Sequence, residues 1–288
     1  MRIGFYPGCS LNGTSREYNE SVKAIGKAMG VDWAELKDWN CCGATAAHSI
    51  DRKLSLALPV HVLALAEQQG FGEIVVPCAS CYNRLSVAQY ELENHEKLKD
   101  DILTIVGLPY TGTVKVLNVL QFIEKYILHT LPEKIVRPFA HQVACYYGCL
   151  LVRPHKVLKF DRLEDPQSMD KVMTMLGASP IDWAFKTECC GAGLSVSRTD
   201  LVGQLSGNIV KDANDRGAEA IIVACPMCHS NLDMRRPAIN RYLSETITIP
   251  VIYITQAIGL AIGLSPKELG LQRHFVDVNL KETEVCQK

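Results

Sequence analysis

Trp39-Asn40-Cys41-Cys42-Gly43-Ala44 and, further on, Pro77-Cys78-Ala79-Ser80-Cys81 decide how this chain is read, because both patterns return. The second copies are Glu188-Cys189-Cys190-Gly191-Ala192 and Ala224-Cys225-Pro226-Met227-Cys228. A Gly-Cys stands ahead of each copy, Pro7-Gly8-Cys9 in the first and Tyr147-Gly148-Cys149 in the second, so most of the 12 cysteines obey one pattern used twice. The surroundings repeat as well. Asp32-Trp33 precedes the first Cys-Cys and Asp182-Trp183 the second, while Gln121 and Gln256 close the apolar runs 116–120 and 251–255, which read as matching strands. A repeat of this length means a duplicated domain rather than a solenoid, and 288 residues suffice for two cores. The least periodic stretch near mid-chain runs from Pro132 through Glu133 and Lys134 to Pro138. It sets the expected division into residues 1–135 and residues 136–288.

Local patterns make both domains α/β. Runs 2–6 and 142–147 are short, apolar and rich in aromatic and β-branched residues, as buried strands are, and each leads into a Gly-Cys. A helix fits from about Ser15, with Tyr18, Val22, Ile25 and Met29 on one face and Gly30 ending it; its counterpart covers 168–177. After each Cys-Cys-Gly a further helix is expected, with Leu54, Leu58, Val62 and Leu65 as the apolar face in one half and Leu201, Leu205 and Ile209 in the other; Gly70 and Gly217 stop them. Strands 73–76 and 220–224 then run straight into the Cys-x-x-Cys. Alternating strands and helices imply a mostly parallel sheet in each half, flanked by helices, with the halves related by a pseudo-two-fold. Ligands of such sheets gather beyond the carboxyl ends of the strands, where the cysteines of each half converge.

Composition narrows the function. The 30 basic and 31 acidic side chains give a net charge of -1, which offers no field for nucleic acid. The amino-terminal apolar run is too short for a secretory signal, and no stretch approaches the roughly 20 apolar residues of a membrane helix. A cytoplasmic location without a transmembrane segment is expected. Thiols stay reduced there, so cysteines in a pattern point to metal or redox chemistry. Zinc takes four ligands, whereas each half offers five thiolates. Adjacent cysteines cannot easily chelate one small ion together but can reach neighbouring irons of a larger cluster. An ordinary cubane also takes four cysteines, so an unusual iron–sulfur cluster is inferred. A structural zinc in one half is the alternative.

Tyr6-Pro7-Gly8-Cys9-Ser10 and Trp39-Asn40-Cys41-Cys42-Gly43-Ala44-Thr45-Ala46 resemble the catalytic B subunit of heterodisulfide reductase, over nearly the whole chain. The resemblance implies two CCG domains, each holding a noncubane [4Fe-4S] cluster: Cys9, Cys41, Cys42, Cys78 and Cys81 in the first, Cys149, Cys189, Cys190, Cys225 and Cys228 in the second. It implies reduction of the coenzyme M–coenzyme B heterodisulfide to two thiols. It further implies two partners from the same heterodisulfide reductase, one a ferredoxin-like iron–sulfur protein and the other a flavin-containing protein, fed by a hydrogenase or formate dehydrogenase. The spacing between Cys190 and Cys225 is slightly shorter than the family's, which a loop deletion absorbs. Cleaving a disulfide takes two electrons, and an iron–sulfur cluster passes one at a time, so two clusters facing one cleft fit the task.

The anionic coenzymes call for cations. Arg84, Arg153, His155, Lys156, Arg235 and Arg236, each near a motif cysteine, are the candidates, against the plainer reading of solvated helix-end charge. His48 and His229 are candidate proton donors, or else hydrogen-bond partners of a sulfide or the backbone. Cys145 reads as a buried strand thiol, and Cys286, in a polar tail, has no role. Trp33, Trp39, Trp183, Tyr146 and Tyr147 read as packing. The competing function is a CCG subunit for electron transfer or docking in a succinate, lactate or glycolate oxidoreductase, or a related protein acting on another disulfide or a persulfide.

Overall fold

A computed structural model describes residues 2–44 and 46–280; Cys286 lies outside them. The first half builds a sheet from β1 (Arg2–Phe5), β2 (Asp32–Glu35), β3 (Glu73–Val75) and β4 (Lys115–Leu117), in the order β2-β1-β3-β4. The second half builds another from β5 (Gln142–Tyr146), β6 (Ser179–Pro180), β7 (Ala220–Val223) and β8 (Val251–Tyr253), in the order β6-β5-β7-β8. All six pairings are parallel. Parallel neighbours need crossover connections, and helices packed on the faces supply them, so the middle strands are buried; all four residues of β7 are. Each sheet has its switch point between its first and third strands, where loops diverge and open a crevice. Gly8-Cys9 follows β1, Cys41-Cys42 follows β2 and Cys78 follows β3, so all three motifs of a half arrive at one end of one sheet.

The helices that matter here are α1 (Gly8–Asn12), α2 (Arg16–Ala28), α3 (Arg52–Gln68), α4 (Ala79–Asn94), α5 (Glu96–Val106), α6 (Ser168–Met175), α7 (Thr199–Asp215), α8 (Pro226–Leu232), α9 (Arg236–Leu243) and α10 (Ile254–Ala261). On α2, Tyr18, Val22 and Ile25 are fully buried, as their spacing predicts. Gly26 is needed there, since a Cβ would sit 2.2 Å from Trp33 Nε1. The halves join where α2 lies on α10: the Tyr18 and Tyr253 rings stack at 4.0 Å, and Ser21 Oγ meets Thr255 Oγ1 at 2.7 Å.

Three expectations shift. On α3 Val62 is fully buried as expected, but the inward face also takes Leu56, Val60 and Leu63, while Leu54 is 40% exposed and Leu58 and Leu65 are half-buried; the helix is apolar most of the way round, so spacing alone cannot choose the face. On α7 Leu205 is likewise exposed, and Val202, Ile209 and Val210 point inward. The runs 116–120 and 251–255 are strand only at their starts. Gln121 and Gln256 sit one turn into the helices that follow, where their side-chain oxygens accept the amides of Asn118 and Tyr253 at 3.0 and 2.9 Å. Asp32-Trp33 belongs to an edge strand, β2, that its mixed composition hid.

Candidate metal centres

Two glycines make room for the first site. Gly8 has φ +65°, and a Cβ on it would stand 3.0 Å from Cys81 Sγ. Gly43 has φ +75°, and a Cβ there would fall 2.8 Å from both Ala47 Cβ and Leu58 Cδ1. That left-handed turn aims the Gly43 amide back at Cys41 Sγ, 3.4 Å away. The Tyr6 hydroxyl donates to Asn40 O at 2.9 Å and holds the turn from below, with Trp39 edge-on against the Tyr6 ring. Cys78 caps α4 and Cys81 lies in its first turn. The adjacent cysteines therefore part: Cys42 is buried with its Sγ 3.2 Å from that of Cys81, while exposed Cys41 lies 3.9 Å from Cys9.

The second site repeats this construction. Gly148 has φ +69°, with a Cβ position only 2.8 Å from Cys228 Sγ, and Gly191, at φ +77°, donates its amide to Cys189 Sγ at 3.3 Å. The Tyr146 hydroxyl donates to Glu188 O at 2.6 Å. Cys190 and Cys228 stand 3.8 Å apart. Here Ser206 Oγ and Asn231 Nδ2 also donate to Cys190 O, both at 2.9 Å.

These surroundings favour the thiolate, the form that binds metal, at Cys41, Cys189 and Cys225, and the thiol at Cys9, Cys42, Cys78, Cys81, Cys149 and Cys228. Hydrogen bonds from Cys42 and then Cys9, with the Gly43 amide, hold Cys41 down to about 2. A bond from Cys149, followed by the amides of Gly191 and Ala192, lowers Cys189 to about 6 despite burial. Cys9 and Cys149, as the donors, are pushed up, first by those bonds and then by burial. Cys225 is driven well down by Cys228, by Cys78 across the join, and by the first amides of α8. All described cysteines are free thiols. The first set surrounds a cavity of about 180 Å³ whose far wall includes Leu150 and Met227 of the second half. A soft donor set of this kind, with neither imidazole nor carboxylate in it, fits iron and sulfide.

Of the six candidate cations, Arg84 lines this cavity, as does His48. Arg153 instead braces the second site, donating to Thr187 O at 3.1 Å and pairing with Glu164 at 2.9 Å. His155 and Lys156 begin a short exposed helix, and Lys156 sits over the Tyr90 ring. Arg235 donates to Ser195 O at 2.9 Å. Arg236 is given to the fold: it is 5% exposed and donates to the carbonyls of Leu232, Ile247 and Ile249. His229 is equally unavailable as a proton donor. Burial lowers it to about 3, its ring stacks on Tyr253 at 4.4 Å, and its Nε2 lies 3.0 Å from Val251 O. Cys145 is fully buried on β5.

His229, Asp233 and His274 gather their ligand atoms within 4.8 Å, the pattern of a cation site. Gln256 closes it. Its oxygen accepts the Tyr253 amide, so its NH₂ faces both Leu269 O at 3.0 Å and His274 Nε2 at 2.8 Å. His274 Nε2 must then accept, which leaves the proton on Nδ1, the nitrogen 3.2 Å from His229 Nε2. A protonated nitrogen at the centre of the cluster offers no lone pair to a metal.

Four functional neighbours escape a reading based on cysteine spacing: Tyr6, Tyr146, Tyr18 and Asn231. The first two carried a signal, since Tyr-x-Gly-Cys occurs in both copies at Tyr6 and Tyr146. Tyr18 and Asn231 gave none, since the other half carries a different residue, Asp170 and Arg84, at the matching place.

The family model described as "CCG: Cysteine-rich domain" matches residues 3–86 and again residues 143–233. The chain is 29% identical over 277 residues to the 8-methylmenaquinol:fumarate reductase membrane anchor subunit of Wolinella succinogenes, covering 96% of this chain and 97% of that protein. It is 30% identical over 285 residues to the B subunit of the ferredoxin/F(420)H(2)-dependent CoB-CoM heterodisulfide reductase of Methanosarcina acetivorans, covering 96% and 94%. Among solved structures, a hypothetical protein from Helicobacter pylori superposes with a TM-score of 0.78 at 14% identity, over 96% of this chain and 52% of that one.

Proposed function

The chain belongs to the family of cysteine-rich CCG-domain proteins, and from that premise we propose that it is the disulfide-reducing iron–sulfur subunit of an electron-transferring complex. Residues 1–135 and 136–288 form the two domains. Cys9, Cys41, Cys42, Cys78 and Cys81 hold one noncubane [4Fe-4S] cluster, and Cys149, Cys189, Cys190, Cys225 and Cys228 the other. When bound, each cluster supplies one electron at a time. The observation that carries the reading is the cavity bounded by all five cysteines of the first site and walled by Leu150 and Met227 of the second half. A substrate entering there meets residues of both domains.

The proposed substrate is the coenzyme M–coenzyme B heterodisulfide, which takes up two electrons and two protons as its S–S bond breaks into two thiols. Arg84 offers a planar, permanently charged fork suited to a sulfonate or phosphate. Leu150 and Met227 keep that wall dry, which strengthens the guanidinium's hold on an anion. His48, exposed at the cavity, is positioned to return a proton to a product thiolate. Electrons come from the partners expected of such a protein, one ferredoxin-like and one flavin-containing. Ile50 and Val196, 73% and 91% exposed after the two Cys-Cys-Gly turns, supply apolar rim for such docking. Among the described residues no helix is long and apolar enough to cross a membrane.

The similarity to a protein named as the membrane anchor of a fumarate reductase supports a second reading: electron transfer or docking in a succinate, lactate or glycolate oxidoreductase. One experiment separates them. Iron, acid-labile sulfide and zinc are measured per chain in anaerobically purified protein, followed by viologen-driven reduction of the heterodisulfide. About eight irons with matching sulfide and thiol release support the disulfide reductase. The same iron without thiol release favours the second reading, and about one zinc with half the iron removes the two-cluster premise.

A further inference from the structure

We propose that Tyr18 is a positioning residue whose hydroxyl, pinned to the two chain segments that deliver Cys78 and Cys225, fixes the separation of the two metal centres. The inference rests on the two-cluster reading and adds to it a residue outside both cysteine sets. Tyr18 is fully buried, and its Oη lies 3.3 Å from Pro77 O and 3.3 Å from Ala224 O, the carbonyls immediately before the two Cys-x-x-Cys motifs. The hydroxyl is thus equally distant from equivalent backbone atoms of the two halves. Cys78 and Cys225, counterparts in the repeat, each follow one of these carbonyls directly.

The ring cannot swing. It stacks on Tyr253 at 4.0 Å and 4°, Tyr253 stacks on His229 at 4.4 Å and 18°, and His229 follows Cys228 in α8. The Tyr253 hydroxyl is tied to Glu17 Oε1 at 3.3 Å, one residue before Tyr18 on α2. The column thus reaches from the join between the motifs to the base of the helix that carries Cys228. The third residue of the corresponding helix, α6, is Asp170, which is engaged elsewhere, by the Tyr147 hydroxyl at 2.6 Å and by Lys186 at 3.0 Å.

The test compares native protein, Tyr18→Phe and Ser21→Ala, all purified anaerobically with their clusters. Tyr18→Phe keeps the stacked ring and removes only the hydroxyl. Ser21→Ala breaks a different hydrogen bond across the same interface, that to Thr255. Iron and sulfide are counted, and electron paramagnetic resonance is recorded with both centres paramagnetic. The expected result is native iron content in all three, with the spin–spin splitting of the native spectrum lost or reduced in Tyr18→Phe and kept in Ser21→Ala. Unchanged splitting in Tyr18→Phe overturns the proposal, as does iron loss in that variant, which would make Tyr18 a folding residue. The same change in Ser21→Ala overturns it too, by making the effect a general loosening of the join. Failure of the two-cluster reading shows separately, as a low iron count in the native protein.

Discussion

Replacing Glu17 with Gln should remove a pH-dependent weakness at the join between the halves. Glu17 is 5% exposed on α2. Its Oε1 accepts from Tyr253 at 3.3 Å and lies 3.9 Å from His229 Nδ1, with Asp233 and Glu20 adding like charge. Burial, outweighing the hydrogen bonds from its own amide and from Tyr253, lifts it from the ordinary 4.5 to about 7. A carboxyl raised in the folded state favours folding in its protonated form. Its contribution is complete below pH 4.5, is lost as the pH climbs through 7, and is constant above that. At roughly 1.4 kcal/mol per pH unit of that gap, the full loss is about 3 kcal/mol, of which about 2 kcal/mol falls between about pH 5.5 and pH 8.5. Gln keeps the acceptor oxygen for Tyr253 and stays neutral. Urea unfolding of both proteins across that window should show Glu17→Gln gaining on the native protein by about 2 kcal/mol towards the alkaline end. Parallel stability curves for the two proteins would refute the assignment of the slope to Glu17.

Gly148→Ala forces a Cβ to 2.8 Å from Cys228 Sγ at φ +69°, so iron analysis should show loss of the second-site metal with the first retained. Lys186→Met strips the countercharge from buried Asp170, 3.0 Å away, and should cost about 3 kcal/mol in chemical denaturation. Cys145→Ser puts a hydroxyl into the buried strand β5; stability should fall by about 1–2 kcal/mol while iron content stays native. Arg84→Gln should weaken an anionic disulfide, read as a higher KM at unchanged iron. Asn231→Leu, which removes the donor to Cys190 O, should instead release second-site iron.

The parts of this protein legible in its sequence are those that duplication wrote twice. The two sheets, their helices and the meeting of Cys9 with Cys78 at one end of one sheet follow from strand–motif adjacency, whereas Cys41 and Cys42 arrive there from β2, a strand its composition hid. Each motif is met directly after a strand or its turn, and parallel strands put those ends together. Gly8, Gly43, Gly148 and Gly191 were visible as letters of the motif, but their reason was not, because it lies in atoms distant in sequence, such as Cys81 Sγ and Leu58 Cδ1. Side-chain bonding decides what composition cannot. Arg236 and His229 are polar and follow Cys228, His229 directly, yet three carbonyls claim the first and a stacked tyrosine the second. The buried face of α3 is legible only at Val62, because its apolar residues surround the axis and Leu54 turns outward.

Duplication also explains where the two sites must differ. A pair of equal domains around one cleft would present equal walls, and a substrate with two unlike ends would find no reason to bind one way round. The copies diverge where they face the cleft. Ser80 of the first Cys-x-x-Cys corresponds to Met227 of the second, and Met227 Sδ reaches 3.9 Å from Ser10 Oγ, across into the first half. Arg84 corresponds to Asn231: the former lines the first cavity, while the latter is spent on Cys190 O. One wall of the cleft therefore carries a permanent cation and small polar groups, and the other a flexible thioether. The Tyr6 and Tyr146 hydroxyls hold the residue before each Cys-Cys pair in the same way, at Asn40 O and Glu188 O. In the proposed disulfide reductase the divergent side chains make the cleft directional, with the anionic end of the substrate at Arg84 and its apolar body at Leu150 and Met227.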